Sequence, residues 1–328
     1  MTAAADRGRS DSLPKPQARP LFVTKSNPAA AIWLATFGLV AMAAMSAAIH
    51  EAAKIAPVGQ LVFWRSFVAL VPIVAYMALR GQIGPSLRTR YPHKHLIRGL
   101  LGCVVMVLSF ISLAYLSVGV ATALTYLAPI FSIFAAMLFL RERPAATVFL
   151  GVALGFAGIL LMLFPALLGA ELRDGTLIGI AAAIGMAAAN ALSRVQVKDL
   201  TRTDPPASIA LSFAVICSLA GLVSSLWGWA ELDATAFVLL IGAGVLGGMG
   251  HVLMMEATAR APVSLLAAYE YTGIIWAFLF DIVLLGVGLD AWTVAGAVVV
   301  VGAAALVTYG QGRFANKPVA AEEPTASA

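Results

Sequence analysis

The 328-residue chain is poor in charge: Asp, Glu, Lys and Arg together make up 11% of it, less than half of the roughly 25% carried by a soluble domain. It has 2 cysteines, Cys103 and Cys217, both inside apolar runs, where packed or lipid-side thiols are expected rather than a disulfide or a metal site. Its 4 histidines are scattered, three of them in or beside loops. There is no Gly-x-x-x-x-Gly-Lys phosphate loop and no His-Glu-x-x-His pair, and Ser109, Ser112 and Ser117 have no base at a spacing that would activate them. These absences leave no catalytic constellation, no metal set and no cofactor motif. Alternating ten-residue apolar segments, the mark of a membrane β-barrel, are missing too. The net charge of +5 raises nucleic acid as a partner, but the cations sit at the ends of apolar segments, which accounts for them without one.

What the chain does have is continuous apolar sequence. Ten segments of roughly twenty residues lie at 29–49, 58–79, 96–116, 118–140, 145–165, 176–196, 207–229, 234–255, 263–285 and 291–310, each long enough for a ~30 Å hydrocarbon core. Of the 21 Lys and Arg residues, Lys54 and Arg173 fall in gaps on one side and Arg65 lies inside span 2. The other eighteen, among them Arg80, Arg88, Arg90, Lys94 and Arg98, fall on the opposite side. Cytoplasmic loops are enriched in Lys and Arg, so the bias predicts an even number of spans with both termini cytoplasmic. Residues 1–28 and 311–328 read as disordered cytoplasmic tails. The first is polar, with Pro14, Pro16 and Pro20 and no apolar core, and no cleavable signal peptide is expected in it.

The spans repeat. Tyr126 in span 4 aligns with Tyr269 in span 9 at an offset of 143, and Gly151 in span 5 with Gly296 in span 10 at 145. Two units result, 29–165 and 176–310. Five spans per unit is odd, so the units must be inverted, an arrangement that places a substrate site near the midplane between them. The fold class expected is therefore an all-α polytopic membrane protein with ten helices in two inverted five-helix repeats. Gly151, Gly155 and Gly158 make one smooth face on span 5, suited to close helix packing or to a dimer contact.

The stretch Ala121-Thr-Ala-Leu-Thr-Tyr126-Leu-Ala-Pro129-Ile-Phe131, then Leu140-Arg-Glu142-Arg-Pro144 and Gly151-Val-Ala-Leu-Gly155-Phe-Ala-Gly158, resembles the EamA domain of the drug/metabolite transporter superfamily. So does Phe63-Trp64-Arg65 at the opening of span 2. The likeness runs over about residues 29 to 310. The second half departs from it: Thr272 and Gly286-Val-Gly288 stand where the family usually has Pro and a Gly-Glu pair. The resemblance implies a secondary transporter without ATP hydrolysis, in a family that moves amino acids, sugars, nucleotide derivatives, cofactors and drugs.

Two charges lie at intramembrane depth. Arg65 is about seven residues into span 2 and Glu270 about seven into span 9 from the opposite side, each roughly 10 Å deep at 1.5 Å per residue. A charge there is costly, and is paired or functional. Arg65 reads as a substrate ligand, a structural ion pair or a snorkel to the interface; Glu270 as a cation ligand, a proton-coupling group or a buried neutral acid. A zwitterion lying between them would satisfy both. Tyr126 and Tyr269, with Tyr271 beside them, offer phenols for stacking or plain packing. Pro129 frees a carbonyl at mid-span. Trp64, Trp276 and Trp292 suit cavity walls or interfacial belts, and Trp227 and Trp229 a belt.

Asn190 reads as an interhelical hydrogen-bond residue facing the site. His251 reads as a solvated histidine near the inner interface or as a proton relay, and Glu256 lies five residues further along. Glu142, between Arg141 and Arg143, reads as a solvated helix end, and Asp281 as interfacial. The expected function is a secondary carrier for a small organic, zwitterionic metabolite, an amino acid or derivative, exported across a bacterial inner membrane, with proton coupling an open alternative. A carrier for a cofactor- or nucleotide-like metabolite such as S-adenosylmethionine or riboflavin is the second reading, an intramembrane enzyme the third, and a channel, for which no polar stripe recurs along any span, the fourth. The partners expected are a small-molecule substrate and the lipid bilayer, with no nucleic acid, no metal and no cofactor; oligomeric state is not encoded in these patterns.

Overall fold

Inside hydrocarbon each backbone N–H and C=O must find a partner within the protein, and a helix provides one within a single segment. The computed structural model describes residues 28–81, 83–86, 89, 91–128, 131, 150–151, 153–158, 160–161, 164, 175–200, 204, 206–258, 260, 272–286, 288 and 290–315. Among these the secondary structure is helical, without a strand. The helices are α1 (Pro28–Ala52), α2 (Val58–Leu79), the short α3 (Ile83–Ser86), α4 (Pro92–Tyr115), α5 (Val118–Thr125), α6 (Thr176–Leu200), α7 (Pro206–Val223), α8 (Ala234–Thr258), α9 (Gly273–Val283) and α10 (Ala291–Ala315). Within the described residues, 6 helices (α1, α2, α4, α6, α7 with its 3-10 extension, and α8) are long and apolar enough to cross a membrane. Outside the described residues lie both tails, Pro129, Arg141 to Pro144, Tyr269, Glu270 and Tyr271.

Helix ends follow local chemistry. α2 stops at Gly81, whose φ of 63° is the left-handed conformation that glycine adopts most cheaply after a helix C-cap. Its N–H closes on Ala78 O at 3.0 Å. The α4–α5 turn is two residues long: Leu116 caps α4, and the Ser117 hydroxyl caps α5 by accepting from Val120 N at 3.4 Å. Neighbours joined this tightly run antiparallel.

α1 packs on α8, α4 on α6, and α2 on both α7 and α8; α4 also touches α7, α1 touches α9, and α5 touches α6 and α9. Small residues permit these approaches, since in lipid close packing replaces the hydrophobic drive between helices. α1 and α8 meet at Gly38 and Gly250: a Cβ on Gly250 would lie 2.9 Å from Met42 Cγ and 3.2 Å from Gly38 O. α8 meets α2 at Gly244 and Gly248, the latter facing the Pro72 ring and, at 2.9 Å, the Ala69 carbonyl. On span 5, a Cβ at Gly158 would stand 2.9 Å from Gly296 O, so this glycine is used in packing against α10. Large apolar side chains such as Val71 and Val298, each 67% exposed, point outward as a lipid-facing surface requires.

Polar clasps close the two ends of the bundle. At one end, Gln60 donates to Ala230 O at 3.1 Å and accepts from Ala230 N at 3.0 Å. At the other, Glu256 accepts from Arg80 Nη2 at 2.8 Å and from Tyr76 and Arg260, tying α2 to α8. His95 bonds Ser212 Oγ at 2.8 Å and lies 3.5 Å from Asp204, tying α4 to the start of α7.

Candidate functional site

Eight helices converge on one cavity of about 520 Å³, within the ~300–1,000 Å³ usual for small-molecule sites. α1 supplies Met42, Met45 and Ser46; α2 supplies Arg65; α4 supplies Arg98, Ser109 and Phe110; Thr122, Thr125 and Tyr126 come from α5 and its C-cap. α6 adds Asn190 and Ser193, α7 Phe213, α8 His251 and Met254, and α9 Gly273. The walls thus mix apolar side chains with many convergent polar ones, able to orient a polar ligand. A larger apolar groove of about 620 Å³ between α9 and α10 has, among the described residues, Thr272 as the one polar side chain lining it, too little to orient a polar ligand.

Of the residues singled out from sequence, Arg65, Tyr126, Asn190 and His251 line this cavity together. Arg65 is 3% exposed. Its guanidinium crosses to α8, where a Cβ on Gly247 would stand 3.0 Å from Nε, so that glycine leaves the space the side chain occupies. The Tyr126 hydroxyl lies over Gly273, 3.3 Å from where a Cβ would be. Gly273 follows Glu270 by three residues in sequence; Glu270 and Tyr269 themselves lie outside the described residues. Trp64 is not among the cavity-lining residues. It packs edge-on against Phe63 and Phe237, with ring centroids 5.4 and 5.3 Å apart.

Other side chains sit differently from their sequence reading. His251 is not a solvated interfacial residue: it is half-buried in the cavity wall, its ring 6.2 Å from that of Phe213. Asp281 is not interfacial either. It is fully buried, and its two carboxylate oxygens accept from Val118 N at 2.9 Å and Gly119 N at 2.6 Å. It thereby caps α5 from α9, because the first N–H groups of any helix lack an internal partner. Trp227 is 80% exposed, as a belt residue would be. Trp229 instead packs on Phe63 at 5.0 Å and donates to Ser224 Oγ at 3.0 Å. Trp292 lies at the surface against Phe164, 4.8 Å between ring centroids.

Sequence reasoning missed Arg98, which counts with the loop cations by position. Its side chain lies back along α4 over Gly102 and stacks on Phe213, with Cζ 5.1 Å from the ring centroid. A Cβ on Gly102 would stand 2.6 Å from Phe213 Cε2 and would also strike Arg98 Nη1. The glycine one turn after an arginine is the signal that could have revealed it. Cys103 on α4 and Cys217 on α7 are buried free thiols. Among the described residues no group of His, Cys, Asp and Glu could hold a metal ion.

Known proteins add the following. The EamA-like transporter family matches residues 29–164 and again 177–309. The chain is 26% identical over 278 residues to a pseudopaline exporter of Pseudomonas aeruginosa, a match covering 82% of this chain and 93% of that protein. It is 26% identical over 244 residues to a riboflavin transporter of Vibrio cholerae, covering 74% and 80%. It is 22% identical over 257 residues to an S-adenosylmethionine uptake transporter of Rickettsia bellii, covering 78% and 84%. A solved crystal structure superposes with a TM-score of 0.61 over 88% of this chain and 99% of its own at 19% identity, a likeness of fold alone. The helical bundle, the central cavity and the double match over nearly the whole spanning region agree: this chain belongs to the EamA-like transporter family of the drug/metabolite transporter superfamily, a multi-pass membrane carrier of small molecules and not an enzyme.

Proposed function

We propose that the chain is a secondary exporter of a small zwitterionic metabolite, an amino acid or amino-acid derivative, working by alternating access in a bacterial inner membrane with both termini in the cytoplasm. The observation that carries this is the cavity of about 520 Å³ lined by helices from both halves of the chain, with Arg65, Tyr126 and Asn190 among its polar groups. Glu270, three residues before the cavity-lining Gly273 in sequence, supplies the counter-charge for an ammonium group, and Glu270 or His251 supplies a site for proton coupling.

Ten spans in two inverted repeats, 29–165 and 176–310, are the architecture proposed. The helix contacts support it. Pairing α1 with α6, α2 with α7, α4 with α8 and α5 with α9 as repeat mates maps the α1–α8 contact onto α6–α4, α2–α8 onto α7–α4, and α1–α9 onto α6–α5, while α2–α7 and α5–α9 map onto themselves. A two-fold relation between the halves produces that list. The tandem family matches support the same division. Such a fold moves substrate by rocking one half against the other around a fixed midplane site. The relatives named as riboflavin and S-adenosylmethionine carriers, with Phe110, Tyr126 and Phe213 in the cavity wall, favour as second reading a cofactor-like metabolite held by stacking.

The test is counterflow in proteoliposomes with radiolabelled amino acids, riboflavin and S-adenosylmethionine. A carrier gives saturable uptake that is accelerated by substrate on the far side. Arg65→Ala and Glu270→Gln should each abolish it, at a cost of about 2 to 5 kcal/mol for an uncompensated charge in the site, while leaving the melting temperature nearly unchanged. Unsaturable flux, or full transport by Arg65→Ala, would refute the reading.

A further inference from the structure

We propose that the cavity selects a small organic substrate bearing two acid groups, carboxylate or phosphate, one held by Arg65 and the other by Arg98. This rests on the cavity being the transport site. The zwitterion reading needs one cation in the site; the structure places two. Arg65 is buried, and its Nε has no hydrogen-bond partner among the described residues. Arg98 reaches the same cavity from α4, and its Nε and Nη1 are likewise buried without a hydrogen-bond partner among the described residues. Phe213 and His251 line the same cavity: the Phe213 ring carries the Arg98 guanidinium at 5.1 Å and lies 6.2 Å from the His251 ring.

The contrast with neighbouring cations separates a ligand role from a structural one. Arg80 and Arg260, one helix end away, are both matched by Glu256. The molecule thus neutralises these two structural cations with its own carboxylate. No acidic side chain lines the cavity among the described residues. Glu270 can contribute one negative charge, which leaves a positive excess. Two like charges in a medium of low dielectric repel strongly and are expensive to bury; a ligand with two acid groups removes both costs at once. Guanidinium forks also suit this work, since each offers paired N–H donors to the planar oxygens of a carboxylate or to a phosphate.

The experiment uses the purified full-length protein in detergent and matched probes that differ by one acid group: L-glutamate against L-glutamine, succinate against its monoamide, and O-phospho-L-serine against L-serine. Binding is read by thermal shift and by calorimetry in buffer free of other polyanions. At least one diacid should bind about tenfold or more tightly than its amide or hydroxyl partner, the scale of one charge-assisted hydrogen-bonded pair. Arg98→Gln should erase that preference while leaving the weaker mono-acid binding in place, and Arg98→Lys, which keeps the charge and is mild for folding, should retain part of it. The phosphoserine and glutamate arms distinguish phosphate from carboxylate.

Equal binding of diacid and mono-acid partners in the parent overturns the proposal. So does a preference that survives Arg98→Gln unchanged. If mono-acids bind and exchange in proteoliposomes without any diacid preference, the transport site stands and the second acid group falls. If no probe of either kind binds and Arg65→Ala changes nothing, the cavity is not the acid site and the functional reading falls with it.

Discussion

Asp281→Asn tests the most consequential contact between the two halves of the chain. The carboxylate comes from α9 and accepts the first two N–H groups of α5, at 2.9 and 2.6 Å, while fully buried. The substitution keeps the shape but leaves one acceptor oxygen; the new NH₂ then faces a backbone N–H. One hydrogen bond involving a charge is lost, worth about 1.5 to 3 kcal/mol, and a buried donor is left unsatisfied at about 1 to 3 kcal/mol more. Allowing for relaxation, the loss should be about 2 to 5 kcal/mol. At about 2 °C of melting temperature per kcal/mol for a chain of this size, the shift is on the order of 4 to 10 °C. The assay is intrinsic fluorescence on heating, reported by the 6 tryptophans. Asp233→Asn is the control: Asp233 caps α8 locally, accepting from Ala236 N at 2.7 Å, and Asn caps about as well as Asp, so its melting point should hardly move. Gly119→Ala should match Asp281→Asn in sign, because its methyl would strike the Phe278 ring and stand 2.9 Å from Asp281 Oδ2. An Asp281→Asn protein that melts within about 2 °C of the parent would refute the pinning of α5 by α9.

Three further outcomes are expected. With Cys103 and Cys217 replaced, a cysteine at Gln82 should be labelled only from the cytoplasm and one at Asp233 only from outside; the reverse pattern would overturn the orientation drawn from the charge bias. Gly248→Leu should cost about 1 to 3 kcal/mol by overpacking, since any side chain there meets Pro72 and the Ala69 carbonyl, whereas Gly242→Ala, with nothing within 4 Å, should be neutral; equal melting points for the two would remove the α2–α8 crossing. At α10, burial raises the pKa of the Asp290 carboxyl somewhat, but hydrogen bonds from the Thr293 hydroxyl and the Thr293 and Trp292 N–H groups outweigh it, so the net shift is down. A lowered folded pKa means stability that is present above the unfolded value near ~3.9 and lost as pH falls through the folded one. The melting-point gap between parent and Asp290→Ala should therefore be constant from neutral pH to about 5 and shrink below 4, and a gap that widens on acidification would contradict it.

The spans were legible because their signal is additive: twenty apolar residues in a row outvote any single exception. The long described helices fall on spans 1, 2, 3, 6, 7 and 8 for that reason. Individual side chains are another matter, since depth along a helix says how far a residue is from an end and nothing about which neighbour it meets. Asp281 sits near the end of its span, and depth alone made it interfacial. Its burial is dictated by the α4–α5 turn, more than a hundred and sixty residues away in sequence, whose exposed N–H groups need an acceptor that the turn does not contain. The tight Leu116-Ser117 junction was visible, and so was the question of what caps it; the partner was not.

Arg98 shows the same limit from the other direction. Counting cations by gap treats a side chain as a point at its Cα, yet an arginine beside a helix end can lie either toward the headgroups or back toward the core. What sends it inward is Gly102, which leaves room one turn further along, and Phe213, which offers a ring face to the guanidinium. Neither matters to hydropathy. Both matter to chemistry, because the inward choice turns a topology marker into a second cation lining the cavity with Arg65, the ground for proposing a substrate with two acid groups rather than one. Sites in this architecture are assembled by side chains crossing between helices, so the residues that decide specificity are those whose small neighbours let them cross.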